Sequence, residues 1–454
     1  MVSGSMFLQD VPGASQGGAL TFVNPVTLGA DKWFLGGDVR QSRLTFTIRG
    51  PEVLSGGTPT GVIEMDLGGY NYQILALNSG LQAAAATIAQ VPNAMGGTTP
   101  TPTVAPLPFN AVTNESRFDE SLVPRMRLAY VELNWGMSQN VLRVGQFHNL
   151  LLGMIPGSAS HIGTPLGYGA GQLGWRSPGV TYIHRFKLSA ESNLDIGVQV
   201  NRNSWRDELP NCGISATGVA TAAQAPSANC LPYGISVGEA SLLPQVEARI
   251  MAFGGMAAAP LPFYLPTKWS VFLVGHWAQQ DMTGVGNATL PATAAPGTVI
   301  RDAMTTYAVA GGAKVQLGPF LAAFNGWYGQ NAGNVFGHIF QMQDLNRGDI
   351  SGFGVWAQVG LGLTKNLSAW GFFGMDQPDA AQTKLAFPGG GRLGNMQIAG
   401  QLVYTEGPIQ IGAEFIYVAT KNYLVIPGAM GAAPTTSENV YSAMQPVLTL
   451  NYNF

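Results

Sequence analysis

Charge is what this chain has least of. Asp, Glu, Lys and Arg make up only 10% of its 454 residues, against ~25% in soluble domains. Yet no run of ~18 uninterrupted apolar residues occurs, so no transmembrane helix is expected. Cysteine is nearly missing as well: the chain has 2, Cys212 and Cys230, with no His at ligand spacing nearby, so they are not a zinc site. The 5 His, at positions 148, 161, 184, 276 and 338, include no pair at i, i+2 or i, i+4, and no metal centre or other cofactor is expected. His161 lies near Ser158 and Ser160, but in a Gly-rich loop, and closeness in sequence is not a catalytic triad. Gly389–Gly391 lacks a surrounding strand–loop–helix and a following Lys-Ser/Thr, so it is no phosphate cradle. A net charge of −3 argues against a nucleic-acid partner. Nothing in the sequence points to an enzyme. The first ten residues lack the basic start and apolar core of a secretion signal. Val2–Asp10 instead reads as part of a strand, and the sequence is expected to begin within the mature protein.

What the chain does have is alternation. In the closing stretch, Leu448, Leu450, Tyr452 and Phe454 share one face, and Val447, Thr449, Asn451 and Asn453 share the other. That period of two marks a strand that is apolar on one side and mostly polar on the other. The same rhythm recurs over Arg40–Arg49, Gly61–Asn71, Pro124–Trp135, Asn140–Leu150, Gly179–Leu188, Asn193–Asn203, Leu242–Gly254 and Thr267–Gln280. It continues over Met304–Leu317, Phe320–Gly329, Ile350–Thr364, Leu367–Asp376, Arg392–Thr405, Ile409–Lys421 and Val440–Phe454. A change of phase near Tyr130 predicts a bulge. The 60 Gly and 29 Pro suit many turns and long loops.

Connections alternate in length. Gly136–Gln139, Ser189–Ser192, Gly318-Pro319, Lys365-Asn366 and Glu406–Pro408 are short; Gly50–Thr60 and Gly255–Pro266 are longer than the pattern wants. Tyr72–Val123, Leu151–Pro178, Ser204–Ser241, Asp281–Ala303, Gln330–Asp349, Gln377–Gly391 and Asn422–Asn439 are long. Short turns at one end and long loops at the other are the outer-membrane barrel pattern, periplasmic turns against extracellular loops. An even strand number is needed to close such a barrel, which adds Val2–Asp10 as the first strand and makes Val11–Val39 the first external loop. The predicted fold is all-β, a 16-stranded antiparallel transmembrane β-barrel formed by residues 1–454 as one domain, in the size class whose lumen is a water-filled channel. The Ala-rich Gln73–Val91 is either a short helix in the second loop or irregular. In a cell-envelope barrel, Cys212 and Cys230 read as a disulfide; the alternative is two unrelated thiols.

Four stretches resemble the early strands of general porins, in particular of the DcaP-like branch. They are Arg40-Gln41-Ser42-Arg43-Leu44-Thr45-Phe46, Ile63-Glu64-Met65-Asp66-Leu67, Arg125-Met126-Arg127-Leu128-Ala129-Tyr130 and Leu142-Arg143-Val144-Gly145-Gln146. The likeness covers about the first two hundred residues, together with the final strand that ends on Phe454. It implies a bacterial outer-membrane location, a homotrimer, small and often anionic solutes, and a third external loop folded inward to narrow the pore. Here that loop is Leu151–Pro178. A carboxyl-terminal Phe on such a strand also resembles the assembly signal of bacterial outer-membrane proteins.

Function in an open pore lies in its lining and its constriction. The inward faces of the early strands carry Arg43, Arg49, Arg125, Arg127, Arg143 and Arg185, and Glu64, Asp66 and Glu132 lie on neighbouring strands. Opposed rows of this kind select solutes by sign, and the Arg excess predicts a modest preference for anions. The opposing reading is that these groups pair and satisfy one another in the wall. Arg176, at the end of the inward loop, reaches either the constriction or a phosphate of surface lipid, so lipid and lipopolysaccharide join the expected partners. Gln358, Asn395, Gln397, Gln401, Gln410 and Glu414 are expected inward, as a neutral, wet lining. The competing functional reading is a structural barrel whose long loops bind an envelope partner.

Overall fold

A computed structural model describes residues 1–9, 14–16, 19–23, 33–39, 41–67, 89–92, 98–101, 124–136, 139–203, 241–281, 303–343, 347–426 and 435–454. In chain order the strands are β1 (Val2–Gln9), β2 (Ala14–Gln16), β3 (Ala19–Phe22), β4 (Phe34–Asp38), β5 (Arg43–Arg49), β6 (Thr58–Asp66), β7 (Ala89–Pro92), β8 (Thr98–Thr101), β9 (Arg125–Trp135) and β10 (Asn140–His148). They continue as β11 (Arg176–Lys187), β12 (Ser192–Asn201), β13 (Gln245–Met256), β14 (Thr267–Asp281), β15 (Ala303–Leu317) and β16 (Phe320–Gln330). The last are β17 (Ser351–Gly362), β18 (Leu367–Pro378), β19 (Gly390–Glu406), β20 (Ile409–Ile426) and β21 (Thr435–Tyr452). All but β2, β3, β7 and β8 belong to one sheet of 17 strands. Neighbours in sequence pair antiparallel from β9 through β21, as do β5 with β6 and β6 with β9. β1 pairs antiparallel with both β4 and the last strand, β21, with Val2 opposite Tyr452.

Burial along these strands is inverted relative to a soluble sheet. On β21, Leu448, Leu450 and Tyr452 are 58%, 57% and 48% exposed, while Thr449 and Asn451 are 1% and 0% exposed. β5 is exposed on both faces, with Leu44, Phe46 and Ile48 on one of them, whereas the same inversion exposes Val309, Phe324, Val359, Leu402 and Phe415 farther on. The opposite face buries Gln199, Asn325, Gln358, Gln397 and Gln401. An apolar band of this extent is a surface built for lipid hydrocarbon, not for water. No described helix is long and apolar enough to cross a membrane.

The buried core therefore lies against the polar-bearing face, here called the inner face. One apolar cluster joins Ala159 and Leu166 of the segment 149–175 to Trp356, Trp370, Phe372, Ile416 and Val447. A second joins Leu150, Leu151 and Leu173 of that segment to Phe272, Val274, Trp327 and Val335.

Several expected boundaries move. The strand expected over Arg40–Arg49 is β5, beginning at Arg43, and Phe34–Asp38, expected within the Val11–Val39 loop, is the strand β4. Met1 and Arg43 exchange backbone hydrogen bonds of 2.9 and 3.0 Å, so β1 runs past β4 on to β5. The bulge expected near Tyr130 is present three residues earlier, at Arg127, where β6 residues Glu64 and Met65 face Leu128 and Met126. Both Arg127 and Leu128 consequently turn inward, at 4% and 9% exposure. Of the Ala-rich stretch, residues 73–88 lie outside the described residues, and 89–91 belong to β7, paired with β8. Strand β11 begins at Arg176, so the Leu151–Pro178 connection is effectively 149–175. The connection after β18 holds a short helix, Ala380–Ala386, capped by Asp379.

Candidate functional site

Residues 149–175 enter the interior and are held there by side chains from around the sheet. Gln199 Oε1 accepts from Leu150 N at 2.8 Å, and Glu247 Oε2 accepts from Leu151 N at 2.9 Å. Gln358 clamps the backbone of one residue, accepting from Gly157 N and donating to Gly157 O, each at 2.7 Å. Gln401 donates to the same Gly157 carbonyl at 2.8 Å, and Asn451 donates to Ala159 O at 2.9 Å. Gln41 Oε1 takes Ile162 N and Gly163 N at 2.7 and 2.8 Å. Gln397 accepts from Gly167 N, and Asn395 donates to Gly169 O, both at 2.7 Å.

The physical reason is that a buried loop carries peptide groups with no ladder to join, and each needs a partner. Inward Gln and Asn side chains supply one. This corrects the expectation of a wet neutral lining: Gln358, Gln397 and Gln401 are 1%, 1% and 5% exposed and are spent on backbone. Gln410 instead accepts from Asn451 Nδ2 at 3.0 Å. Glycine permits the close approach. A Cβ on Gly171, whose φ is +99°, would stand 2.2 Å from the carbonyl oxygen of Val355.

Two further segments, expected as external loop, also lie against the inner face. Leu20 O and Thr21 O accept from Gln397 Nε2 and Asn395 Nδ2 at 2.9 Å, and Asn422 donates to Val23 O at 3.0 Å. Val335 O accepts from Gly174 N at 2.8 Å, and Ile339 N donates to Asp376 at 3.1 Å. Phe22, Phe340, Phe336, Tyr168 and Trp175 stack through the three segments with centroid separations of 4.5–5.8 Å. Burial beside the Trp327 ring holds the pKa of His338 down to about 4, so its imidazole is neutral.

The charged residues singled out in the sequence fall into separate groups. Arg43, Glu64, Asp66, Arg125 and Arg127 form one cluster. Arg127 donates to Glu64 and to Asp66, each at 2.8 Å, and to Gly163 O at 3.1 Å. Arg125 grips both Asp66 oxygens, with Nε to Oδ1 at 2.9 Å. Arg43 lies 3.4 Å from Glu64 and donates to Ile162 O at 2.7 Å. The bulge is what makes this cluster: by adding a residue to β9, it lets Arg127 reach both carboxylates of β6. Elsewhere Arg143 pairs with Glu132 at 2.6 Å and lies over the Tyr130 ring at 4.8 Å. Arg185 pairs with Asp195 at 2.7 Å. Arg176 is buried with its guanidinium 4.0 Å from the Trp175 ring centroid. Arg49 is exposed near a turn, apart from the others. Cys212 and Cys230 lie outside the described residues.

Sequence reasoning missed Gln41, which holds the loop at Ile162 and Gly163, and the Glu247–His276 pair at 3.0 Å, whose Glu247 binds Asn149 at the start of the loop. The available signal was an inward amide or acid where a neighbouring connection was long and Gly-rich. Ser158, Ser160 and His161 do meet a carboxylate, Glu414, through Ser158 Oγ at 2.8 Å and through Ser160 Oγ. All four are buried, Ser160 Oγ also lies 2.8 Å from His161 Nδ1, and the group ties the loop to β20.

No protein-family model matches the chain, and no curated protein sequence matches it. Solved structures do. The outer-membrane channel DcaP of Acinetobacter baumannii superposes with a TM-score of 0.58 at 14% identity, covering 100% of this chain and 95% of that one. Salmonella typhi OmpF, in complex with daunomycin, gives 0.46 at 11% identity over 100% and 97%. Pseudomonas putida OprB gives 0.46 at 8% identity over 100% and 93%. At these identities the likeness concerns the fold. This chain has the fold of the DcaP outer-membrane channel, an all-β antiparallel sheet.

Proposed function

We propose that the chain is an outer-membrane porin, a non-enzymatic channel for passive diffusion of small hydrophilic solutes. The observation that carries this reading is the inverted burial of the sheet: apolar side chains outward along most strands, polar ones inward, and a loop folded among the polar ones. Counting β4 and β5 as one interrupted strand gives sixteen, and the β1–β21 pairing supports closure into a barrel. Short turns then lie at the periplasmic end and long loops outside. Segment 149–175 is the constriction.

The path left for solutes runs on the side of β5, β6 and β9–β12. There Arg43, Arg125, Arg143 and Arg185 keep side-chain exposures of 22%, 17%, 28% and 44%. Because three guanidiniums meet two carboxylates in the β5–β6–β9 cluster, that wall has a net positive charge, which supports a modest anion preference. Glu64 and Asp66 belong to the same charged wall, while Arg176, buried over Trp175, and Arg49, near a turn, stand apart from it. The outward apolar band suits lipid and the contacts of a homotrimer, and lipopolysaccharide is the expected neighbour at the outer rim.

Single-channel recording in planar bilayers tests the reading: stepwise conductance is expected from refolded protein. A sealed lumen would instead favour a structural barrel whose long loops bind an envelope partner. The filling of the inner face by segments 19–23, 149–175 and 331–343 is the feature that gives that reading weight. A flat current trace with correctly folded protein would decide for it.

A further inference from the structure

A two-residue turn is enough to join neighbouring antiparallel strands, and residues 318–319 join β15 to β16 that way. The connection from β13 to β14 is residues 257–266, closed at its base by Ala257 N to Pro266 O at 2.8 Å. It lies at the short-turn end, and it does not hang free there. Lys314 of β15, buried, donates to Leu265 O and Thr267 O at 2.6 Å each and to Thr267 Oγ1 at 2.8 Å. Gln316 of the same strand donates to Ala259 O at 2.7 Å.

So fixed, the turn points two aromatic rings into the interior. Phe263 lies 5.4 Å from Trp370 of β18, and Tyr264 stacks on the same ring at 6.0 Å and 21°. Phe263 has a φ of +76°, a region that a residue with a Cβ holds only where its surroundings over-determine it. The Tyr264 hydroxyl donates to Gln358 Oε1 at 2.5 Å. Burial raises the pKa of that hydroxyl, so it stays a donor. Gln358 Oε1 thus receives both Tyr264 OH and Gly157 N, which turns Gln358 Nε2 toward Gly157 O. At the same point a Cβ on Gly157 would stand 2.3 Å from the Cβ of Phe263. The inward loop and this turn enter from opposite ends of the sheet and meet at Gly157.

We propose that residues 257–266 are a brace that sets the position of the constriction loop, with Phe263 and Tyr264 as positioning residues for the channel. The inference rests on the porin reading above. The brace fixes the loop's middle, whereas Glu247 and Gln199 fix its start. Loosening it lets the segment around Gly157 move while the rest of the loop stays anchored.

The test compares the full chain with Phe263→Gly/Tyr264→Phe, which removes the ring contact and the hydroxyl yet relieves the positive φ. Amide hydrogen exchange over residues 156–161 is expected to quicken roughly tenfold, the ratio for a loss of ~1.4 kcal/mol in local stability. Exchange over residues 167–174 is expected to stay unchanged, and single-channel current noise to rise. Gly157→Ala alone is expected to disturb the same six residues, and adding Phe263→Gly to relieve that clash and bring exchange back to the level of Phe263→Gly alone, because the three nearest atoms belong to the lost side chain. Unchanged exchange and current in the first variant would overturn the brace, as would equal acceleration along the whole chain. A wild-type protein that does not conduct would refute the channel reading instead, and the exchange comparison would still judge the brace.

Discussion

Replacing Arg125 and Arg127 together by Ser takes two positive charges from the inner wall. Arg43, Arg125 and Arg127 face Glu64 and Asp66, so a cluster with one net positive charge acquires one net negative charge. For an ion passing at roughly 8 Å in water, each unit charge is worth ~0.5 kcal/mol, and two are worth ~1 kcal/mol. A screening length of ~30 Å at 0.01 M leaves about 0.8 kcal/mol of that, and one of ~3 Å at 1 M leaves almost none. Anion and cation shift in opposite directions, so the anion-to-cation permeability ratio should fall on the order of tenfold at low salt. Reversal potentials in a salt gradient measure it. Asp66, whose side chain is 1% exposed, loses these two guanidiniums, and taking a partner from a buried ion pair costs ~3–5 kcal/mol. A triple variant that adds Asp66→Asn separates this fold effect from the charge effect, with the cluster then neutral. An unchanged ratio at 0.01 M would refute the charge argument, and so would a shift of the same size at 1 M, where screening leaves no field to act.

Glu414→Ala leaves the Ser158 hydroxyl buried without its acceptor, at about 1–3 kcal/mol. A lower Tm in detergent and new proteolytic cleavage near residue 158 are expected, and unchanged values of both would deny the tie to β20. Arg185→Ala should move stability by less than ~1 kcal/mol, since its pair with Asp195 is partly solvated; chemical denaturation of the folded protein checks this. Deleting Phe454, which is 78% exposed beyond the end of β21, should lower the yield of folded protein in the membrane. The conductance of each channel that does insert should not change. Cys212 and Cys230 are predicted to be bridged, and alkylation followed by mass measurement, with and without reductant, would detect two free thiols if they are not.

Strands were legible because their signal is local. A side chain's face follows from the parity of its position, so Leu448–Leu450–Tyr452 outward and Thr449–Asn451 inward could be read from five consecutive residues. The bulge was legible only as a slip in that parity, and its place at Arg127 was settled by the partner strand, which Tyr130 alone does not reveal. The Arg and acid residues of β5, β6 and β9 were visible as types on facing strands. Which of them pair followed from the extra residue that brings Arg127 between Glu64 and Asp66.

Composition and alternation by themselves determined an all-β chain with one greasy face and one polar face, and an order of short and long connections. Only the tertiary structure decided what the polar face is for. An inward Gln looks the same in sequence whether it meets water or a peptide group, and the difference depends on where a distant loop runs. Gln358 lies 201 residues from the Gly157 peptide it clamps, and no periodicity along the strand encodes that meeting.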